Sequence, residues 1–237
     1  MRFRFRTVPF IATIVLVGLG IALGNWQTRR AAEKTALRTT LEQRTAQAPL
    51  ALDGRPVDPD AIAYRRVIVS GTFIPNWTLF LDNRQQGGRS GVIVVSPFTI
   101  AGSNRVVLVE RGWAPRDPAA HDRVPHVAAP DGPQTIEGVA VAHPPRTMQL
   151  GTPAAPRPGA IVQNLDPAGF AQATGVDVLP VVVEQTGAPA DGLARQWDGP
   201  DVDIKRHQGY AFQWYALAVM AILFFVMTGF RRASKPG

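Results

Sequence analysis

His207 precedes Tyr210, Ala211 and Trp214 by three, four and seven positions. That spacing sets all four on one face of a helix. An imidazole beside aromatic rings, at the mouth of an apolar segment, has the chemistry to ligate a haem iron. The same histidine also reads as the polar end of an apolar helix, and a single His brings no ligand spacing that separates the two readings. No second reactive constellation emerges. His121 and His126 lie in a proline-rich stretch and His143 precedes two prolines, none at zinc-site spacing. GxSxG elbows, P-loops and GxGxxG segments are absent. Asp166, Asp177, Glu184 and Asp191 form no evident carboxylate pair. The chain has no cysteine, which excludes disulfides, thiolate metal sites and cysteine nucleophiles.

The element that must carry His207 is apolar and long. Gln208 to Phe230 holds no formal charge. About 23 residues at about 1.5 Å rise each cross a hydrocarbon core of roughly 30 Å. With no water to satisfy its amides there, the segment must be helical. Tyr210, Trp214 and Tyr215 form an aromatic belt at one end, and Arg231, Arg232 and Lys235 close the other. A second uncharged run, Thr7 to Gln27, follows Arg2, Arg4 and Arg6. Ala22-Leu23-Gly24 offers a signal-peptidase site, but the run is long for a cleaved signal, and Trp26 and Arg29 anchor it as a retained span. Gly20 and Gly24 have GxxxG spacing, which either brings the two spans together or reflects ordinary glycine usage in membrane helices.

These features predict a membrane protein with two transmembrane α-helices, N- and C-terminal, flanking a β-rich α+β extracytoplasmic domain. The expected boundaries are a cytoplasmic tail over 1–7, a first span over 8–27, the domain over 28–207, a second span over 208–230 and a tail over 231–237. Residues 28–47, rich in helix formers, extend the first helix beyond the bilayer, with Glu33 spaced to pair with Arg29 or Arg30. Arg29, Arg30, Lys34 and Arg38 weaken the positive-inside signal locally, but a long intervening segment translocates largely regardless of charge. Much of the +7 net charge flanks the spans, without basic runs interleaved with aromatics, so nucleic acid is not expected as a partner.

Within the domain, Pro49 to Pro59 reads as a linker. Strands are expected at 64–73, 77–82, 92–98, 105–110, 134–142 and 179–185. Gly87, Gly88 and Gly91 mark a loop and 101–104 a turn. Asp166-Pro167 caps a short helix ended by Gly175. A small curved sheet or barrel accommodates this pattern. In Arg111-Gly112-Trp113, Gly112 permits a turn and Trp113 plugs a core, or the three form an outward partner surface.

Six stretches follow one another in a family's order. They are Leu23-Gly24-Asn25-Trp26-Gln27 with Arg29 or Arg30 and Lys34; Tyr64-Arg65-Arg66-Val67 leading to Gly71-Thr72-Phe73; Gly91 through Pro97-Phe98; Val107 through Arg111-Gly112-Trp113-Ala114-Pro115; Glu137-Gly138; and His207 with Tyr210-Ala211 and Trp214-Tyr215. Together they resemble the surfeit locus protein 1 family of cytochrome c oxidase assembly factors, over about residues 20 to 232. Gln208, Val162 and Arg157-Pro158-Gly159 depart from the family pattern.

The resemblance implies a membrane-anchored chaperone, not an enzyme. It would hold haem a transiently for the haem-bearing subunit of the oxidase, with haem a synthase as a further candidate partner. It puts His207 at the iron as an axial ligand with Trp214 and Tyr210 at its site. It makes Trp26, Gln27, Tyr64, Gly71, Arg111, Gly112 and Trp113 motif residues of structural weight. Arg29 and Arg30 are at a suitable depth to pair with the haem propionates. The alternatives are a haem carrier or sensor without an oxidase client, and a membrane-tethered hydrolase or transferase. A bacterial inner membrane with both termini cytoplasmic is the expected location, because the short Arg-rich N-terminus leaves no room for a mitochondrial transit peptide.

Overall fold

A computed structural model describes residues 2–3, 5–116, 124–125, 127–149, 151, 153–188, 191–197, 199 and 203–231. His121, His126, Arg232 and Lys235 lie outside the described residues. The chain divides into two units, Met1–Glu42 with Pro200–Gly237, and Gln43–Gly199.

The first unit is a helix pair, and the protein is a two-span membrane protein. Strand β1 (Arg2–Phe3) leads into α1 (Thr7–Ala46), and α4 (Ile204–Gly229) runs into β10 (Phe230–Arg231), which pairs antiparallel with β1. Both helices are long and apolar enough to cross a bilayer. Their outward faces remain bare, with Ile14, Val15, Phe212 and Met227 all exposed, as lipid-facing surfaces must be. α1 runs unbroken past the apolar stretch to Ala46, and Arg30 pairs with Glu33 at 2.8 Å.

The buried face of α1 is Gly20, Gly24, Gln27 and Ala31, and that of α4 includes Ala211 and Ala218. Small residues let the two backbones approach. A Cβ on Gly20 would sit 2.9 Å from the Trp214 carbonyl oxygen and 3.0 Å from the Ala218 Cβ. Gly24 lies against the Tyr215 ring, so the GxxxG pair faces the second span. Tyr215 Oη also donates to Asn25 Oδ1 at 2.8 Å. Gly20→Leu is expected to weaken this helix pair by about 1–3 kcal/mol through overpacking. The measurement is the midpoint of SDS-induced unfolding. Gly18→Leu is the control, since a Cβ there meets nothing within 4 Å.

The second unit is built on strands. In chain order they are β2 (Leu50–Ala51), β3 (Arg66–Phe73), β4 (Leu79–Gln86), β5 (Arg89–Ile100), β6 (Val106–Pro115), β7 (Gln134–Val141), β8 (Ile161–Val162) and β9 (Val178–Gln185). The helices are α2 (Pro59–Ile62) and α3 (Pro167–Thr174). Strand order is β2-β3-β7-β9-β6-β5-β4-β8, and a further β3–β5 pairing closes the sheet. β3, β7, β9, β6 and β5 therefore form a barrel. All five contribute to one apolar cluster that fills it, including Val69, Phe98, Val109, Ile136 and Val181. Closure needs Gly71, because a Cβ there would lie 1.9 Å from the Thr99 carbonyl oxygen on β5.

Alternate residues of β5, β6 and β9 point the other way, into a second apolar layer. It is completed by β4 and β8 and capped by Phe170 of α3. The ring of Trp77 packs edge-on against Phe170 at 5.1 Å. α3 starts where its cap signal sits, with Asp166 Oδ1 accepting from the Gly169 amide at 2.7 Å and Gly175 left-handed at the end.

Several expectations shift. The second strand starts at Leu79 and runs to Gln86, past Asp82. Gly87 and Gly88, at φ +56° and +75°, make a two-residue hairpin turn. Gly91 is not in that loop but inside β5, where a Cβ would strike the Trp113 ring. The Pro49–Pro59 stretch is not a bare linker, since it holds β2, paired parallel to β3, and leads into α2.

Candidate functional site

His207 sits in the first turn of α4, after Asp203 caps the helix by accepting from the Arg206 amide. Its Nδ1 lies 2.7 Å from Gln27 Oε1 on α1. An amide oxygen only accepts, so Nδ1 is the donor and carries the proton. The neutral imidazole then keeps its lone pair on Nε2, and the hydrogen bond fixes the ring's orientation, the arrangement found behind metal-bound histidines. Gln27 is buried, its exposure 8%.

Trp214 follows two turns along α4 and lines an apolar cleft of about 310 Å³ with Leu16, Leu19, Gly20, Leu217 and Phe224. Tyr210 and Trp26 are exposed at about the half level. The two arginines diverge. At about 100° per residue, Arg29 lies about 160° around α1 from Gln27, on the far side, whereas Arg30 lies about 60° from it. The helix pair thus brings His207 to Gln27, with Arg30 on the flank and Arg29 facing away.

The motif residues of the barrel unit do structural tasks there. Tyr64 takes a left-handed φ of +63° and its amide donates to the Ala140 carbonyl. The Arg111 guanidinium is fully buried, donating to Asp191 Oδ2 at 3.1 Å and the Ala128 carbonyl at 3.0 Å, and stacked 5.5 Å over Phe73. Arg195 completes the cluster with two hydrogen bonds to Asp191. Arg111 is the extra residue of a β-bulge, because Val94 faces Gly112 while Val95 faces Glu110. Gly112 is at φ +154°, and a Cβ there would sit 2.6 Å from Leu193 Cβ. Trp113 donates its indole N–H to the Arg84 carbonyl at 3.0 Å.

One pair escaped sequence reading. Glu110 on β6 and Glu184 on β9 are in register on adjacent parallel strands, both facing the outer apolar layer. Neither Glu110 oxygen has a hydrogen-bond partner. Burial, then the neighbouring Glu184, pushes the Glu110 carboxyl up to about 8, while Arg84 pulls the other way. Burial pushes Glu184 up to about 7. The carboxylates judged unpaired in the sequence thus include one, Glu184, whose neighbour lies 74 positions away (184 minus 110) in a strand that reads as pure core. Among the described residues no group of three His, Cys, Asp or Glu is placed to hold a metal ion.

Comparisons with known proteins agree on one family. The model of the SURF1 family matches residues 14–219. A SURF1-like protein of Monosiga brevicollis is 26% identical over 234 residues, which is 91% of this chain and 85% of that protein. The cytochrome oxidase assembly protein SHY1 of Saccharomyces cerevisiae is 31% identical over 129 residues, 52% of this chain and 33% of the yeast protein. Surfeit locus protein 1 of Homo sapiens is 32% identical over 109 residues, 40% of this chain and 36% of the human protein. The match therefore spans only about a third of the yeast and human relatives.

Proposed function

The chain belongs to the SURF1 family, and from that premise we propose that it is an assembly factor for cytochrome c oxidase that presents haem a to the haem-bearing subunit. The yeast relative is named as a cytochrome oxidase assembly protein. The observation that carries the haem reading is the His207–Gln27 hydrogen bond. It holds the imidazole in the tautomer whose free nitrogen suits an iron, two turns along α4 from Trp214, which lines the apolar cleft.

Haem a is cargo in this reading. His207 would hold the iron, Trp214 and Tyr210 the apolar disc, and Arg30 a propionate in exchange for its present partner Glu33. Arg29 faces away and contributes less. The haem-bearing subunit is the proposed client and haem a synthase a proposed donor. Arg2, Arg4, Arg6, Arg231, Arg232 and Lys235 favour cytoplasmic termini and an extracytoplasmic barrel unit in a bacterial inner membrane.

The test is a reduced-minus-oxidised absorbance spectrum of membranes from cells lacking the gene. The haem a band is expected to fall selectively, with b- and c-type haems retained. Wild type should restore it, and His207→Ala should not. Arg30→Gln should restore less haem a than Arg29→Gln does. An unchanged haem a band with active oxidase in the deletion strain overturns the assembly reading. Full restoration by His207→Ala removes that residue from it.

A further inference from the structure

The barrel unit holds a second cleft, of about 290 Å³, lined by Arg84, Glu184, Trp113, Trp197, Pro145 and Gln196 among others. Glu184 opens into it, and among the described residues no side chain or amide donates to its carboxyl. Behind it Glu110 is fully buried with both oxygens unpartnered. A buried carboxyl without a donor is costly, so its persistence calls for a compensating group.

The walls narrow what that group is. Trp113 and Trp197 spend their indole N–H groups on the Arg84 and Gln185 carbonyls. What the rings leave for a ligand is therefore apolar and π surface, which favours cations. A bulge in β4 between Leu81 and Arg84 turns the Arg84 side chain inward. There its guanidinium is committed to the carbonyls of Asp82, Pro145 and Gln163. Once both carboxyls ionise, above about pH 8, two carboxylates beside one guanidinium leave a single negative charge, the complement of a monocation. Asp82, two positions earlier on β4, is already paired with Arg116. β5 presents uncharged Val95 beside Glu110, and β7 presents uncharged Val139 beside Glu184.

We propose that this cleft binds a small ammonium-bearing ligand, its cationic centre against Glu184 and beside the indoles of Trp113 and Trp197. The site is independent of the haem reading. Because the two carboxyls hold protons up to about pH 7 and about pH 8, a cation that needs them ionised binds more tightly as pH rises and releases protons when it binds.

The probe is choline titrated into the full-length protein in detergent, read by tryptophan fluorescence, with 3,3-dimethylbutan-1-ol as the uncharged analogue of the same shape. Choline is expected to saturate, to bind at least tenfold tighter than the neutral analogue, and to gain about tenfold in affinity between pH 6 and pH 8. Glu184→Gln, with its unfolding midpoint checked against wild type, should lose tenfold or more. Glu110→Gln should keep the affinity seen at pH 6.5 and lose the further gain above pH 7.5. Proton release on binding at pH 7.5 tests wild type without any variant.

A free amine and a zwitterionic lipid headgroup share this chemistry. Nanodiscs of phosphatidylglycerol alone, against nanodiscs containing phosphatidylcholine, separate them: a choline titration weakened by phosphatidylcholine assigns the headgroup, and an unchanged one assigns a free amine. Equal binding of choline and its neutral analogue, or no saturable signal from either choline or ethanolamine, overturns the proposal.

Discussion

Asp191→Ala is expected to lower the stability of the barrel unit by roughly 3–5 kcal/mol, the range for removing one partner of a buried ion pair. Asp191 is the shared acceptor of two guanidiniums, Arg111 at 1% and Arg195 at 9% side-chain exposure. Neither can reach water without dismantling the packing around Phe73 and Leu193. Burial already pushes the Arg111 guanidinium down, with Asp191 pulling it back up. Without the carboxylate, two buried like charges face each other. Arg111→Met should be milder, because Asp191 keeps both hydrogen bonds from Arg195. Asp177→Ala is the surface comparison: its pair with Arg105 is largely exposed, and such pairs contribute about 0–1 kcal/mol. The measurement is the denaturant midpoint of the full-length protein in detergent, followed by tryptophan fluorescence. If Asp191→Ala and Asp177→Ala shift it equally, the buried cluster does not hold the barrel end in place.

Asp191 shows where sequence reading stops. In the sequence it is one of four scattered carboxylates. Its weight comes from a bulge at Arg111 and from a segment that returns to pair Trp113 with Ala194. Neither leaves a local signature. The two spans were legible because hydropathy over about twenty residues is a length argument that needs no partner. The cap at Asp166 was legible because it is satisfied three residues away. Five barrel strands announced themselves by β-branched runs. β2 and β8 did not, being two residues each and defined only by what they pair with. Gly91 reads as part of the loop because a glycine near a Gly-Gly turn looks like more turn. Its reason for being glycine is an indole on the next strand. The His207–Gln27 pair stood between these cases. Each residue sits where an apolar run meets polar sequence, so similar depth was readable, but facing was not. Glu110 was the least legible of all. It ends RVVLVE like any strand-edge charge, and only the parallel β6–β9 register reveals the second glutamate beside it.

That pair predicts an unusual pH dependence. Glu110 and Glu184 keep their protons in the folded chain to about pH 8 and about pH 7, against 4.5 for an ordinary glutamate. Between those limits the folded state binds more protons than the unfolded state, so stability must fall as pH rises. The loss begins above about pH 4.5, steepens to about 1.4 kcal/mol per pH unit for each group still protonated, and levels off above about pH 8. Summed, the effect is on the order of several kcal/mol, most of it from Glu110, since Glu184 borders a cleft that water enters. Most proteins instead gain stability from paired carboxylates over the acid part of this range. Glu110→Gln keeps the shape and removes the titration. It is expected to match wild type near pH 5 and to exceed it by roughly 2–4 kcal/mol at pH 9. Denaturation midpoints of both proteins from pH 5 to pH 9 provide the comparison, and the difference between the two profiles cancels every other titrating group. Parallel profiles would mean that Glu110 is ionised in the folded chain and has a partner there. A wild-type slope that flattens when choline is added would mean that the ligand is that partner.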